Sequence, residues 1–166
     1  MEVILSYLLG SMTFCALIAK LLGVSLGKNL GGASFFSRTH RLFLAGVCAS
    51  LDIGKGALAY YLWGFWGAVG ALAGHLWSIF NRFEGGRGGS VTLGVFLLAD
   101  WRIALLIALF TVARVLLVRE RERRERFDQW LRLLLLLVLP FTHYRHWALL
   151  EVTVFLITLK YWMVGI

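Results

Sequence analysis

Long apolar runs separated by short polar loops organise the whole chain. Most of the runs approach the roughly 20 apolar residues that a membrane-spanning helix needs, and they are continuous, unlike the alternating strands of a membrane barrel. They lie at residues 3–22, 42–62, 65–80, 91–99, 103–118, 131–142 and 147–164. The pattern predicts an all-α, polytopic transmembrane bundle of about seven segments in one domain, residues 1–166. The run 91–99 is too short to cross alone, so it is extended by the preceding glycines, tilted or re-entrant.

Positive charge alternates from loop to loop. Because loops rich in Lys and Arg stay in the cytoplasm, the alternation predicts an N-terminus outside and a C-terminus inside. The basic set consists of Lys28, Arg38, Arg41, Arg82, Arg87 and the six arginines between residues 119 and 132, whereas the alternate set contains only Arg102 and Arg145. The mixed-charge stretch 119–130 is interpreted as a solvated helical extension in preference to a basic collar on anionic lipid.

Composition supports lipid as the main solvent of the chain. Sixty per cent of the 166 residues are hydrophobic, the mean hydropathy is +0.78, and there is one proline. The net charge of +8 is explained by membrane topology, so membrane lipids and no nucleic acid are the expected partners. Cys15 and Cys48 lie in apolar runs, which indicates buried free thiols. We predict no metal site and no cofactor.

The first polar region is the loop 23–41. Gly31 and Gly32 allow close backbone approach to a ligand, and their amides can face an anion. Arg38 and Arg41 follow, and an arginine can grip phosphate oxygens in bidentate fashion. The alternative interpretation is a flexible, positive-inside loop.

The second polar region places two charges inside an apolar run. Asp52 and Lys55 are spaced i,i+3 and so lie on one face of a helix. Charges at membrane depth are costly and pair or face a polar cavity. Two interpretations stay open: a structural pair that neutralises itself, or a Lys55 that binds an anionic substrate while Asp52 orients it.

The third polar region is 74–94, and it carries the strongest signal. Its centre is the glycine cradle, residues 85–89, in which Gly85, Gly86, Gly88 and Gly89 surround Arg87. A helix predicted to begin at 90–92 would point its free amides and dipole at an anion bound there. The cradle lacks the Walker pattern, so nucleotide hydrolysis is not indicated. His75, at the end of the preceding run, is either an interfacial residue or part of this site.

Together these regions resemble the PlsY family of bacterial membrane acyltransferases, over residues 7–97. YLLGSMTF, AKLLGVSL and Arg41 match the family's opening motif, ASLDIGKGALA matches its Asp-x-x-Lys-Gly motif, and GHLWSIFNRFEGGRGG matches its Gly-His…Phe-Lys-Gly-Gly-Lys-Gly block.

The chain departs from the family pattern at several positions. The family's Gly-Ser-Gly-Asn and Gly-Ala-Thr-Asn align here with residues 30–33 and 35–38, without their asparagines or the serine. In the third block Glu84 and Arg87 replace lysines, and Ser78 replaces a proline. The family's late Arg-His-Arg-Glu-Asn segment has no counterpart, and only Lys160 stands near its place.

The resemblance implies transfer of an acyl chain from acyl phosphate to glycerol 3-phosphate at the inner face of the bacterial plasma membrane, the first step of phospholipid synthesis. On this interpretation the glycine cradle, with Arg41, holds phosphates, the Gly31 and Gly32 amides line the acyl carbonyl, and His75 or the substrate's own phosphate takes the hydroxyl proton. Direct transfer is expected, because no nucleophile triad is evident. The alternative is a catalytically degenerate relative that serves as a lipid-binding or structural subunit of a membrane-protein complex.

Overall fold

The computed structural model describes residues 1–26, 30–117 and 147–164, and every regular element in these ranges is helical. The α-helices are α1 (Glu2–Ser11), α2 (Phe14–Leu21), α3 (Gly32–Thr39), α4 (Leu42–Leu76), α5 (Gly89–Ala99), α6 (Trp101–Leu117) and α7 (Trp147–Val164). A 3₁₀ turn, Ile79–Asn81, follows α4. The predicted all-α class is therefore confirmed for the described residues.

The first apolar run is a broken helix rather than a continuous one. Met12 and Thr13 have ψ of 94° and 91°, which separates α1 from α2. A helix end leaves carbonyl groups without an intrahelical partner, and a membrane interior supplies no water for them. The break therefore requires donors from elsewhere in the protein.

Helix α4 consists of two antiparallel arms. Gly64 has φ 56° and ψ −138°, a conformation that glycine tolerates and other residues avoid. A Cβ added to Gly67 would overlap the Ala59 carbonyl oxygen, although eight residues in one straight helix would be about 12 Å apart. The chain therefore reverses at Gly64, between the predicted runs 42–62 and 65–80.

Glycines set the spacing of the helices in the unit Met1–Leu98. A Cβ on Gly10 would overlap the Ala71 carbonyl, and one on Gly74 would overlap the Tyr7 carbonyl. On the other arm of α4, a Cβ on Gly56 would overlap Val91 of α5. Small residues let membrane helices approach closely, so these contacts hold α1 and α5 against α4.

The predicted loop 23–41 contains helix α3, which the sequence interpretation did not include. A cluster of buried apolar side chains attaches this region to the first arm of α4: Cys15, Ala19, Leu26, Leu30, Phe35, Ala45 and Cys48. Phe35 is fully buried in it, so tertiary packing fixes α3 where local sequence is polar and glycine-rich. Both cysteines are buried and free, as predicted.

A second unit comprises Ala99–Ile166 and contains α6 and α7. The Asp100 carboxylate accepts a hydrogen bond from the Arg102 amide at 2.9 Å, at the start of α6. Thr158 donates to the Val154 carbonyl at 2.8 Å, which satisfies its hydroxyl within an apolar helix. The prediction of a single domain stays a prediction.

Two stretches of the described residues are long and apolar enough to cross a membrane, Glu2–Leu21 and Leu42–Asn81, with 20 and 40 residues. The 40-residue stretch contains the reversal at Gly64. Helix α5 has only 11 residues, in keeping with the short predicted run 91–99. The run 131–142, the charged stretch 119–130 and Lys28 lie outside the described residues. The count of seven spans and the orientation of the termini stay predictions.

Replacing Gly74 by Ala tests the close packing of α1 on α4. The added methyl group overlaps the Tyr7 carbonyl, so we expect the free energy of unfolding in detergent to fall by about 1–3 kcal/mol. Gly46→Ala is the matched control, because no atom lies within 4 Å of its added Cβ. Since alanine favours helix over glycine, the control is expected to unfold at the same or a higher temperature. Equal destabilisation of both variants would contradict the packing.

Candidate active site

The Lys55 ammonium group lies at the centre of a buried polar cluster. It donates hydrogen bonds to the Gly10 carbonyl at 3.0 Å, the Met12 carbonyl at 2.8 Å and His75 Nδ1 at 3.0 Å. Asp52 Oδ1 is 2.8 Å away and neutralises the charge. Only 4% of the Lys55 surface is exposed. One ammonium therefore joins the broken first span to both arms of α4.

Residues beyond the end of α4 supply further hydrogen bonds at the break. Ser78 donates to the Ser11 carbonyl at 2.6 Å, and Asn81 donates to the Thr13 hydroxyl. Tyr7 donates in the opposite direction, to the Trp77 carbonyl at 2.7 Å. With the two bonds from Lys55, the three consecutive carbonyls of residues 10–12 each accept from a side chain. Each of these three carbonyls thus has a donor from the protein.

The Asp52–Lys55 pair has the geometry of the predicted structural pair. The ammonium carries three protons, and three protein acceptors lie within hydrogen-bond distance in addition to the carboxylate. Binding a substrate phosphate would require Lys55 to leave these groups. The geometry therefore does not support the alternative interpretation of Lys55 as a phosphate ligand.

The glycine cradle packs directly on His75. The Gly86 amide donates to the His75 carbonyl at 3.0 Å. A Cβ on Gly86 would overlap Nε2 and Cε1 of the imidazole, and one on Gly85 would overlap the carbonyl oxygens of His75 and Leu76. Only glycine fits at these two positions, so the cradle lies flat against the end of α4.

The first loop reaches the same cradle. The Leu30 amide donates to the Gly85 carbonyl at 3.2 Å. A Cβ on Gly31 would lie 3.9 Å from Gly86 Cα and 4.0 Å from the Arg87 nitrogen. Gly31 is the N-cap of α3, so this helix begins beside the cradle. Gly32 instead faces α4, where its Cβ would lie 3.2 Å from the Ala45 carbonyl.

The other end of the cradle leads into α5. Gly88 has φ 83°, which suits glycine, and its carbonyl accepts from the Thr92 amide at 2.9 Å. Helix α5 begins at Gly89, one residue before the predicted range. The N-termini of α3 and α5 therefore both adjoin the cradle, and the partial positive charge of a helix N-terminus favours anions.

The predicted arginines are placed differently from one another. Arg87 is half-buried within the cradle, while Arg38, in the last turn of α3, and Arg41, the N-cap of α4, are both exposed. The turn between them is fixed because Thr39 donates to the Phe35 carbonyl at 2.8 Å and accepts from the Arg41 amide at 3.2 Å.

The structure thus brings together Asp52, Lys55, His75, Gly85, Gly86 and Gly31. The sequence interpretation missed Ser78, Asn81 and the N-terminus of α3. Ser78 carried a signal, since it stands where the PlsY pattern has proline. The break at Met12 also carried a weak signal, because the pair Gly10-Ser11 interrupts the apolar run just before it.

Comparison with known proteins gives consistent results. The glycerol-3-phosphate acyltransferase family model matches residues 1–164. A glycerol-3-phosphate acyltransferase of Mesorhizobium japonicum is 32% identical over 130 residues, which cover 72% of this chain and 67% of the relative. The corresponding protein of Wolbachia pipientis wMel is also 32% identical, over 66% of this chain and 64% of the relative. The matched regions thus span about two thirds or less of these relatives.

A solved structure shares the fold over nearly the whole chain. This is PlsY, an integral membrane glycerol 3-phosphate acyltransferase, in its lysophosphatidic acid form. The two superpose with a TM-score of 0.77 at 25% identity, over 99% of this chain and 88% of the other.

Removing the Ser78 hydroxyl tests its hydrogen bond to the Ser11 carbonyl at the break. Ser78→Ala leaves the buried Ser11 carbonyl without this donor, so the free energy of unfolding should fall by about 1–3 kcal/mol. The control is Ser50→Ala, an exposed serine on the outer face of α4, for which a change within about 0.5 kcal/mol is expected. Thermal unfolding in detergent measures both, and unchanged stability of the Ser78 variant would contradict the assigned role.

Proposed function

Because the chain belongs to the glycerol-3-phosphate acyltransferase family, we propose that it transfers an acyl chain from acyl phosphate to glycerol 3-phosphate. This is the first acylation in phospholipid synthesis. The product is lysophosphatidic acid, which is the ligand form of the related PlsY structure. A second form of PlsY, with glycerol 3-phosphate, has the same fold as this chain at a TM-score of 0.76 and 24% identity.

The observation that carries this proposal is the glycine cradle and its surroundings. Both substrates are phosphate esters or anhydrides, and the reaction needs sites for anionic oxygens. The cradle adjoins two helix N-termini, those of α3 and α5, and contains Arg87. Backbone amides at helix N-termini and a bidentate arginine are the groups that bind phosphate in proteins. We assign the cradle and Arg87 to phosphate binding.

The reaction exchanges one acyl–oxygen bond for another. The glycerol hydroxyl oxygen attacks the acyl carbonyl carbon, a C–O bond forms, and the bond from that carbon to the phosphate oxygen breaks. Negative charge develops on the carbonyl oxygen and on the departing phosphate. Amides of Gly31 and Gly32, at the start of α3, are the proposed donors for the carbonyl oxygen. Exposed Arg38 and Arg41 would attract the anionic substrates and hold a second phosphate.

The hydroxyl proton is assigned to the departing phosphate. His75 was the other predicted acceptor, but its Nδ1 already accepts from Lys55 and only 2% of its surface is exposed. A buried imidazole whose lone pair is occupied is a poor general base. Transfer to phosphate balances the reaction, because hydrogen phosphate leaves and no acyl-enzyme forms.

The chain is an integral membrane protein, like its structural relative. We place it as a multi-pass protein in the bacterial inner membrane, with the cradle at the cytosolic face, because the arginine-rich loops are expected inside. The bilayer then supplies the acyl donor, and the cytoplasm supplies glycerol 3-phosphate.

Arg87→Ala tests the assignment. Losing the single arginine of the cradle removes charge from the proposed phosphate site, so kcat/KM should fall by about a hundredfold or more. The measurement is formation of lysophosphatidic acid from acyl phosphate and glycerol 3-phosphate by the purified protein.

The matched control is Arg102→Ala, which removes an exposed arginine at the start of α6. Its activity should equal that of the unmodified protein. An active protein whose Arg87 variant keeps full activity would contradict the phosphate assignment. A folded, unmodified protein without turnover would contradict the enzymatic function and favour a structural or lipid-binding subunit.

A further inference from the structure

We infer that Lys55 is a positioning residue for the glycine cradle, which it holds in place by fixing the imidazole of His75. This inference rests on the proposed function only where it predicts that a displaced cradle binds substrate more weakly. Its structural part, the protonation of His75, is independent of any activity.

The hydrogen bond from Lys55 determines which imidazole nitrogen carries the proton. An ammonium group has protons and no lone pair, so at 3.0 Å His75 Nδ1 must be the acceptor. A neutral imidazole that accepts at Nδ1 carries its proton on Nε2. Nε2 lies at the edge of the ring that meets Gly86. Lys55 therefore determines that the ring edge in contact with Gly86 presents an N–H group and not a lone pair.

Asp52 would favour the opposite arrangement if Lys55 were absent. Its Oδ1 is 3.7 Å from His75 Nδ1. A carboxylate only accepts hydrogen bonds, so it would attract the proton to Nδ1 and leave a lone pair on Nε2. The Lys55 ammonium is 2.8 Å from the Asp52 carboxylate and donates to His75 Nδ1. It therefore keeps the imidazole in the form that carries its proton on Nε2.

Small movements of the ring are transmitted to the cradle, because there is no free space between them. The Gly86 amide is bonded to the His75 carbonyl, and a single added Cβ at Gly86 would overlap the imidazole. A ring that tilts must therefore displace residues 85–87. Lys55 does not touch the substrate in this arrangement, and its buried protons are taken by protein acceptors.

The first test is the tautomer of His75, read from ¹⁵N chemical shifts of histidine-labelled protein in detergent micelles. The His75 signals are assigned by their loss in His75→Phe. In the unmodified protein we expect a protonated Nε2 and an unprotonated Nδ1. In Lys55→Met the proton should move to Nδ1, toward Asp52. A protonated Nδ1 in the unmodified protein would overturn the inference.

The second test is the separation of KM from kcat. Gly86→Ala should displace the cradle and raise the KM of the substrate whose phosphate the cradle binds. Lys55→Met and His75→Phe should each raise that same KM by about tenfold, with a smaller change in the KM of the other substrate. If His75 is instead the catalytic base, His75→Phe lowers kcat and leaves KM unchanged, and the inference fails.

The control variant is Lys20→Met, which removes an exposed lysine in the last turn of α2 and should leave both KM values unchanged. His75→Phe also covers the case in which Lys55→Met does not fold. It leaves Lys55 with the carbonyls of Gly10 and Met12 and with Asp52, and so preserves the support of the broken helix. Absence of turnover in the unmodified protein would refute the proposed function alone, because the tautomer test needs no substrate.

Discussion

A backbone carbonyl at membrane depth needs a donor from the protein itself, since lipid offers none. The first span of this chain breaks at Met12 and Thr13 and so exposes carbonyl groups that a continuous helix would have satisfied. Lys55 and Ser78 supply the missing donors, two from one ammonium and one from a hydroxyl. The arrangement of α1, both arms of α4 and the residues that follow them depends on these bonds.

Burying the ammonium group of a lysine is energetically unfavourable, and this explains which groups surround Lys55. Desolvation of an unpaired ammonium would outweigh the hydrogen bonds it makes, so the charge requires a counter-ion. Asp52, one turn earlier on the same arm, supplies it at 2.8 Å. The third proton of the ammonium is donated to His75, which lies on the other arm of α4. The hydrogen bonds of Lys55 therefore also join the two arms that meet at Gly64. The ion pair is therefore part of the architecture that supports the site rather than a group exposed to ligand.

The structure shows how three departures from the PlsY pattern are accommodated. The hydroxyl of Ser78, in place of a proline, donates to the Ser11 carbonyl and accepts from the side-chain Nδ2 of Asn81 at 3.1 Å. This hydroxyl thus connects the end of α4 to the break, which a proline ring could not do. Glu84, in place of a lysine, has an exposed side chain, and the half-buried charge of the cradle is Arg87. The first loop lacks the asparagines of the family pattern. On that side the start of helix α3, with its N-cap at Gly31, borders the cradle.

The all-helical class, the approximate position of most apolar segments, the buried free cysteines and the residues of the cradle could be predicted from the sequence. These follow from local properties: continuous hydrophobicity, i,i+3 spacing and the clustering of glycine around one arginine. The i,i+3 spacing also placed Asp52 and Lys55 on one helix face, but it left open whether they form a structural pair or whether Lys55 binds a substrate. Three features required the fold: Lys55 donates to the carbonyls of Gly10 and Met12, Gly86 packs on His75, and α3 begins beside the cradle. Hydrogen bonds in this part of the described structure join residues as much as 70 positions apart, as between Tyr7 and Trp77. No local pattern encodes them, because they depend on where the chain reverses and on how closely glycines let the helices approach.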